Sequence, residues 1–582
     1  MRIFISLGWF FKQEKKSYII GVLALVLIAF INLLPPYLVG QTVDAIRTGT
    51  LTTENLGRTV LLIMAVAVIS YGLRYVWRLY IFGSAFKLGM ILRNRLFHHL
   101  SRLTPEFYQR HPTGELMAHA TNDVQAVESA AGEGVMTLVD TISMGGMVVV
   151  TMLFLDWKLT LIALIPMPAI AWATMKLGDA IYDRFEASQS AFSDLTGLVQ
   201  ENMMGMRALR AFGQEGAEIR RFAQETERVA EKNIAVARIE ALFGPVITFF
   251  VGVSYMLTVG FGAYLIAHGT MTIGTLTSFL MYLGHLVWPM LAFGFLFNIM
   301  ERGRASYDRI TRILAEEPKV VEKAGALQYV PHGPIAFHIE SFTYPGAHHP
   351  ALQGIHVTVQ PGETLGVVGK TGSGKSTLMH LLIREFDLPP GSWIKIGGVL
   401  LEDLSLDALR KTVATVPQDH TMFSATIREN IAFARPDASQ EEIEKAALSA
   451  SIHEDIMRLP NGYDTLVGER GVTLSGGQRQ RIAIARAILL DPPVLVLDDA
   501  LSAVDGKTEA AIIDHLKTLR RGKTTIIKAH RLSAVQHADE IIVLEEGRIR
   551  ERGTHEALIA QGGWYAQMVR IQKLSELVEG AS

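Results

Sequence analysis

The sequence predicts two domains of different class: an all-α, six-helix transmembrane domain followed by an α/β domain built on a largely parallel sheet. Three observations predict it. Charge-free stretches crowd the first half of the chain. Short Val/Ile-rich runs alternate with helical patterns in the second. The length of 582 residues also exceeds the roughly 250–300 at which one core stops growing. A mean hydropathy of +0.25 with only 49% apolar residues fits the average of a greasy half and an ordinary one. The balance of 55 Lys and Arg against 57 Asp and Glu argues against a globally basic nucleic-acid binder. The chain has no cysteine, which excludes a disulfide framework, a cysteine zinc site, an iron–sulfur cluster and a thiol nucleophile.

Residues 1–16 place Trp9, Phe10 and Phe11 beside Lys12, Lys15 and Lys16, with no small-residue cleavage site after them. They read as an interfacial elbow helix rather than a signal peptide. Residues 17–315 form the membrane domain. Ser17–Val43 and Ala241–Met300 contain no Asp, Glu, Lys or Arg. A bilayer needs ~20 apolar residues per helix, so the first stretch is one span and the second is two, turned at His268-Gly269-Thr270. Thr59–Phe82, Val135–Leu155 and Leu159–Met175 complete six, interrupted only by Arg74, Arg78 and Asp140. Those three are candidate substrate contacts, the arginines alternatively snorkelling or facing an inter-subunit cavity. Pro35-Pro36, Pro166, Pro168, Pro245 and Pro289 are expected to kink or end spans.

Basic residues concentrate before the first span and in the long segments after the second and fourth, which places both termini in the cytoplasm. Those segments, about 86–134 and 176–240, keep helical spacing and are expected to carry membrane helices into the cytoplasm before reversing. The turns are expected at His111-Pro112-Thr113-Gly114, followed by Glu115–Val124, and near Gly205–Gly213. Residues 316–334 are polar, with Pro318, Pro331, Gly333 and Pro334, and read as a linker. Residues 335–582 form the α/β domain.

Three motifs in that domain carry chemistry. Gly369-Lys370-Thr371-Gly372-Ser373-Gly374-Lys375-Ser376 follows a strand-like run and opens a helix at Thr377. Its glycines let backbone N–H groups wrap a phosphate chain, Lys375 reaches the β and γ phosphates, and the Ser376 hydroxyl suits Mg²⁺. Val494–Leu497 is an apolar run ending in Asp498, the position of a Walker B carboxylate that also holds Mg²⁺. Leu474-Ser475-Gly476-Gly477-Gln478 opens a helix bearing Arg479, Arg481 and Arg486, and so offers bare N–H groups and a positive dipole end.

The order Tyr344, phosphate loop, Gln418, Leu474–Gln478, Asp498, Ser502–Asp505, His530 resembles the nucleotide-binding domain of ATP-binding cassette (ABC) transporters. With six spans before it, the chain is similar to exporter-type half-transporters, more closely the MdlA-type members of the bacterial multidrug-resistance-like group. The resemblance implies an ABC nucleotide-binding domain that binds ATP and Mg²⁺. Tyr344 would stack on adenine, residues Gly369–Thr377 cradle the phosphates, and Ser376, Gln418 and Asp498 hold Mg²⁺. Gln418 would also touch the attacking water, His530 the γ-phosphate, and Asp505 the loop joining two sites across a dimer. Leu474–Gln478 would close on ATP held by the other subunit. Glu115–Val124 and the turn near Gly205–Gly213 would be the coupling helices.

Two positions depart from the family pattern. Asp499 stands where the family has its catalytic Glu. It is one methylene shorter, which retracts the carboxylate by about 1.5 Å, and a misplacement of ~1 Å can cost on the order of 100-fold in rate. Lys528 stands two residues before His530, where a small polar residue is more usual, and the sequence offers no account of it. A defective own site beside an intact signature points to a heterodimer with a second, MdlB-like half-transporter that supplies the complete site. The expected activity is ATP-driven export of hydrophobic or amphipathic compounds, in the bacterial cytoplasmic membrane and without nucleic acid. The alternatives are a homodimeric lipid or peptide exporter and an ATP-binding regulatory subunit.

Overall fold

A computed structural model describes residues 2–468 and 474–580. Its contacts divide the chain into one unit of Met1–Ser101 with Thr113–Glu316, and another of Arg102–Pro112 with Glu317–Ser582.

The first unit is all helix. Six helical runs are long and apolar enough to cross a membrane: Lys15–Arg47, Thr53–Leu100, Thr113–Leu155, Trp157–Ala211, Glu215–Ala267 and Ile273–Leu314. At 1.5 Å per residue, the 48 residues of Thr53–Leu100 span about 70 Å, more than twice a hydrocarbon core of ~30 Å. The expected extension of the membrane helices is therefore present. The first run breaks between Lys15–Ile31 and Leu34–Arg47, where Pro35 and Pro36 lack the N–H that would continue the ladder. Hydroxyls of the sixth helix reach carbonyls at this break: Tyr282 Oη donates to Leu33 O at 2.5 Å and Ser278 Oγ to Pro36 O at 2.8 Å. The fourth run breaks in the same way before Met167, at Pro166. Pro245 and Pro289 instead lie inside continuous helices.

Small residues and buried polar ties hold the helices together. A Cβ on Gly40 would lie 2.4 Å from Gly274 O, so the first and sixth helices touch backbone to backbone there. Asp44 caps the sixth helix, accepting from Gly274 N at 2.8 Å and Thr272 Oγ1 at 2.6 Å. Towards the other end, Asp123 is buried between the third and sixth helices. It accepts from Ser306 Oγ at 2.8 Å and Arg309 Nε at 3.0 Å, with His119 Nδ1 2.6 Å away. The elbow, Arg2–Ser6 and Gly8–Gln13, buries Ile3, Leu7 and Phe10, while the Arg95 guanidinium stacks 4.3 Å over Trp9. Arg74 and Arg78 are exposed, the latter 5.7 Å from the Trp77 ring centre.

The second unit contains twelve strands among its described residues: β1 Ile335–Phe342, β2 Leu352–Val359, β3 Thr364–Gly369, β4 Trp393–Ile396, β5 Val399–Leu400, β6 Val413–Val416, β7 Ala425–Thr426, β8 Leu466–Val467, β9 Val494–Asp498, β10 Thr524–Lys528, β11 Glu540–Glu545 and β12 Arg548–Gly553. The principal sheet runs β12-β11-β3-β10-β9-β6 and is parallel except for β12. Strands β3 and β9 are nearly all apolar, as two-sided burial requires, and β10 is buried at every position although it carries two threonines and ends on Lys528. A second, antiparallel sheet, β2-β1-β4-β5, was not foreseen from the sequence.

One expectation is corrected. Glu115–Val124 is not a separate turn helix; it lies within the helical run Thr113–Leu155, partly as the π-helical turn His119–Asp123. The short helix of this connection is Pro105–Arg110, which belongs by its contacts to the second unit. Pro105 sits at the first helical position, where its missing N–H costs nothing. Pro112 then holds His111 in an extended conformation, φ −117°, and ends the helix. Glu106 pairs with Lys319 at 2.7 Å and Phe107 is buried, stacked on His111. Residues that read as a linker are also tied to the second unit: Val321 O accepts from Arg384, and Leu327 bridges to Leu404. The other turn is tight: Met167–Ala211 and Glu215–Ala267 are joined through Gly213 at φ +62°.

Candidate functional site

The parallel sheet brings the motifs to one edge. Strand β3 ends at Gly369 and the chain wraps directly into the helix Lys375–Leu382. Two glycines are obligatory in that wrap. Gly374 has φ +95° and a Cβ there would lie 2.5 Å from Ala351 O; a Cβ on Gly369 would lie 2.1 Å from Leu544 O. Lys375 folds back over the loop, donating to Gly369 O at 2.8 Å and Lys370 O at 2.7 Å. Burial, followed by the nearby Lys528 charge, holds its ammonium below the usual lysine range. The buried Ser373 hydroxyl has no hydrogen-bond partner. A glycine cradle, a lysine over it and an unpartnered hydroxyl inside it fit a phosphate chain. Tyr344 borders this loop: its hydroxyl donates to Thr377 Oγ1 at 3.1 Å and its ring stands edge-on to Phe342 and Phe386. Burial raises the Tyr344 phenol pKa.

Strand β10 lies between β3 and β9, with Lys528 in register with Asp498. The three residues expected to hold Mg²⁺ do converge, but on an ammonium. Lys528 Nζ forms an ion pair with Asp498, donates to Ser376 Oγ at 2.8 Å and reaches Gln418 Oε1 at 3.4 Å. As arranged, this donor set does not fit Mg²⁺: its centre already carries a buried positive charge.

Asp499 follows in the left-handed region, φ +52°, which Asp tolerates better than most residues. Its N–H donates to Lys528 O at 2.9 Å and its Oδ1 accepts from the His530 backbone N–H at 3.4 Å. His530 is exposed at the end of this edge.

The signature segment forms a separate surface. Ser475 caps the helix Gly476–Leu490: its Oγ accepts from Gln478 N at 3.2 Å, while Gln478 Oε1 accepts from Ser475 N at 3.0 Å. Leu474 is buried beneath, and Ser475 and Gly476 are exposed. Two of the arginines behind them are engaged elsewhere, while Arg479 is exposed. Arg481 pairs with Asp455 at 2.6 Å, and Arg486 packs over Phe423 and Phe433 while donating to Asn430 O. Asp505 caps the next helix, Gly506–Leu519, through Thr508 N, and this backbone bond holds its carboxyl below the usual range.

One residue of this region escaped the sequence reading. Gln480 is fully buried; its Nε2 donates to Asp499 O at 3.0 Å and its Oε1 accepts from Ala503 N at 2.9 Å. It ties the signature helix to the loop that leaves Asp499. Its place on the apolar stripe with Ala483, Ile484 and Ala487 was the available signal.

Comparison with known proteins agrees with this architecture. A family described as ABC transporter transmembrane region matches residues 18–290, and the ABC transporter family matches residues 352–502. The multidrug resistance-like ATP-binding protein MdlA of Escherichia coli (strain K12) is 47% identical over 100% of this chain and 98% of its own length. A probable multidrug resistance ABC transporter ATP-binding/permease protein of Bacillus subtilis (strain 168), YheI, is 43% identical over 99% of both. A bacterial Atm1-family ABC exporter solved with ATP bound superposes with a TM-score of 0.77, at 26% identity, covering 96% of this chain and 98% of that one. The chain belongs to the ABC transporter family. Within it, the chain is a half-size exporter: a multi-pass membrane protein with one six-helix membrane domain and one ATP-binding cassette, an ATPase-coupled transporter.

Proposed function

We propose that this chain is one half of a heterodimeric exporter of hydrophobic or amphipathic compounds, with a partner that is a similar, MdlB-like half-transporter carrying Glu after its Walker B Asp. One cassette offers one phosphate loop and one signature segment, and an ATP sandwich needs both from opposite sides. The observation that carries the reading is the asymmetry within this chain. The carboxylate after Asp498 is the short Asp499, tethered to the His530 N–H, while Ser475–Gln478 is a fully capped helix start with its glycine edge open to a partner. Asp499 falls short of a water at the γ-phosphate, because general-base catalysis needs hydrogen-bond reach. This chain's phosphate loop then retains ATP, and its signature completes the partner's hydrolytic site. The names of the two multidrug-type relatives support the substrate class.

Closure of the cassettes drives the membrane helices, and the cavity opens outward by alternating access. The distribution of Lys and Arg supports insertion in the bacterial cytoplasmic membrane with both termini and the cassette in the cytoplasm. The test is to purify the chain alone and with a candidate partner half-transporter that carries Glu after its Walker B Asp, and to measure ATPase activity of each. Turnover at least about tenfold higher in the pair is expected from the geometric argument; equal turnover by the chain alone overturns it in favour of a homodimer.

A further inference from the structure

Strand β10, Thr524–Lys528, is buried at every position and ends on a charged residue. Its parallel register sets Lys528 beside Asp498 of β9 on one side and Val367 of β3 on the other. Residues paired in register project to the same face of a sheet, so lysine and aspartate emerge together where Ser376 opens the next helix. An ammonium has three N–H donors and no acceptor. Here three oxygens meet it: the Asp498 carboxylate, Ser376 Oγ at 2.8 Å and Gln418 Oε1 at 3.4 Å. The Lys528 side chain is 3% exposed and that of Asp498 9%. A lysine buried this deeply persists because it is paired.

These are the oxygens that a divalent ion at this site would need. Mg²⁺ demands oxygen ligands at about 2.0–2.1 Å in an octahedral shell. The ammonium holds the centre of that shell, and like charges at such separation exclude each other.

We propose that Lys528 is the built-in counter-cation of this phosphate loop, taking the place of Mg²⁺, so that the site binds metal-free ATP. Two ammonium groups, Lys375 on the loop and Lys528 on β10, then face the phosphate chain. The side chain supplies charge neutralisation without the open coordination positions through which a metal orients water, so it favours holding nucleotide over hydrolysing it. The inference rests on this phosphate loop binding ATP; it is independent of whether the second cassette is another chain or another copy.

The experiment is ATP titration of the purified full-length chain with excess EDTA and again with excess Mg²⁺. The wild type is expected to bind with Kd values within about threefold of each other, since its cation is covalent. Lys528→Ser is expected to bind at least about tenfold more tightly with Mg²⁺ than with EDTA, because it frees Asp498 and Ser376 for the ion. Electron paramagnetic resonance with Mn²⁺ gives an independent reading: no protein-coordinated Mn²⁺ in the wild type with ATP, and a coordinated signal in Lys528→Ser. Wild-type binding that weakens tenfold or more in EDTA, or a wild-type Mn²⁺ site at the nucleotide, overturns the proposal without involving any variant. Lys375→Ala is expected to lose ATP in both buffers. Retention of ATP by that variant overturns the phosphate-loop reading itself, and the proposal with it.

Discussion

Gln480→Ala isolates the link between the signature helix and the loop after Asp499. The side chain is fully buried, donating to Asp499 O at 3.0 Å and accepting from Ala503 N at 2.9 Å. Truncation leaves Asp499 O still served by the Ser502 hydroxyl at 3.0 Å, but strips the Ala503 N–H of its partner. Ala503 is exposed, so water can reach the freed N–H and the lost bond costs about 0.5–1.5 kcal/mol, while the space left by the missing amide adds on the order of 1 kcal/mol. The expected loss is thus about 1.5–2.5 kcal/mol of cassette stability. At roughly 2–4 °C per kcal/mol for a domain of this size, the cassette transition falls by about 3–10 °C. Thermal scanning of the full chain reads the shift, and hydrogen exchange over 499–504 reads the freed amide. Gln480→Met keeps the volume and loses the bonds, so it is expected to retain about half of the effect. A shift below about 2 °C with unchanged exchange would refute the assignment of Gln480 as the tie.

Four further outcomes follow from the site. Gly374→Ala drives a Cβ to 2.5 Å from Ala351 O and is expected to abolish ATP binding, whereas Gly372→Ala meets nothing within 4 Å and costs only the ~1 kcal/mol of its φ of +81°; ATP titration separates the two. Asp499→Glu alone is expected to raise turnover of the purified chain by less than about threefold, and together with Lys528→Ser by tenfold or more, because reach and charge are separate defects. Phe107→Ala empties a buried position in Pro105–Arg110; faster hydrogen exchange of that helix and a several-fold fall in ATPase of the pair are expected. The Glu385 hydrogen bond raises the His380 pKa above its ordinary 6.5. A raised folded-state value stabilises fully below the unfolded one, so this contribution is present below about pH 6.5 and is lost as pH rises through the folded value. The melting difference between wild type and His380→Gln is expected to shrink accordingly between about pH 6 and pH 9.

Some of this was legible in sequence because the governing physics is local. A stretch such as Ala241–Met300 without one charge admits few readings but membrane helix, and Gly369–Ser376 encodes its own turn through its glycines. The Asp498 carboxylate at the end of an apolar run was legible for the same reason. What stayed hidden depends on strand order. Lys528 stands far from Ser376 and Gln418 in sequence, and only the order β3-β10-β9 sets its ammonium against both and against Asp498. The misplaced short helix has a subtler cause. Pro105 and Pro112 each punctuate the chain; the second was read as the start of the turn, whereas the first opens the helix and the second closes it. The antiparallel β2-β1-β4-β5 sheet was missed because β4 and β5 are only 4 and 2 residues long, too short for alternation to show. The partners of Arg481 and Arg486, Asp455 and Asn430, are distant in sequence and show only in the fold.

The central claim is that this chain's signature serves hydrolysis while its own carboxylate does not. The most direct measurement is ATPase activity of the purified pair carrying, in this chain alone, either Asp499→Asn or Ser475→Arg. The account predicts that Asp499→Asn leaves turnover within about twofold and that Ser475→Arg lowers it by about 100-fold or more, the cost of misassembling the partner's site. Loss of turnover with Asp499→Asn, or its survival with Ser475→Arg, would contradict it.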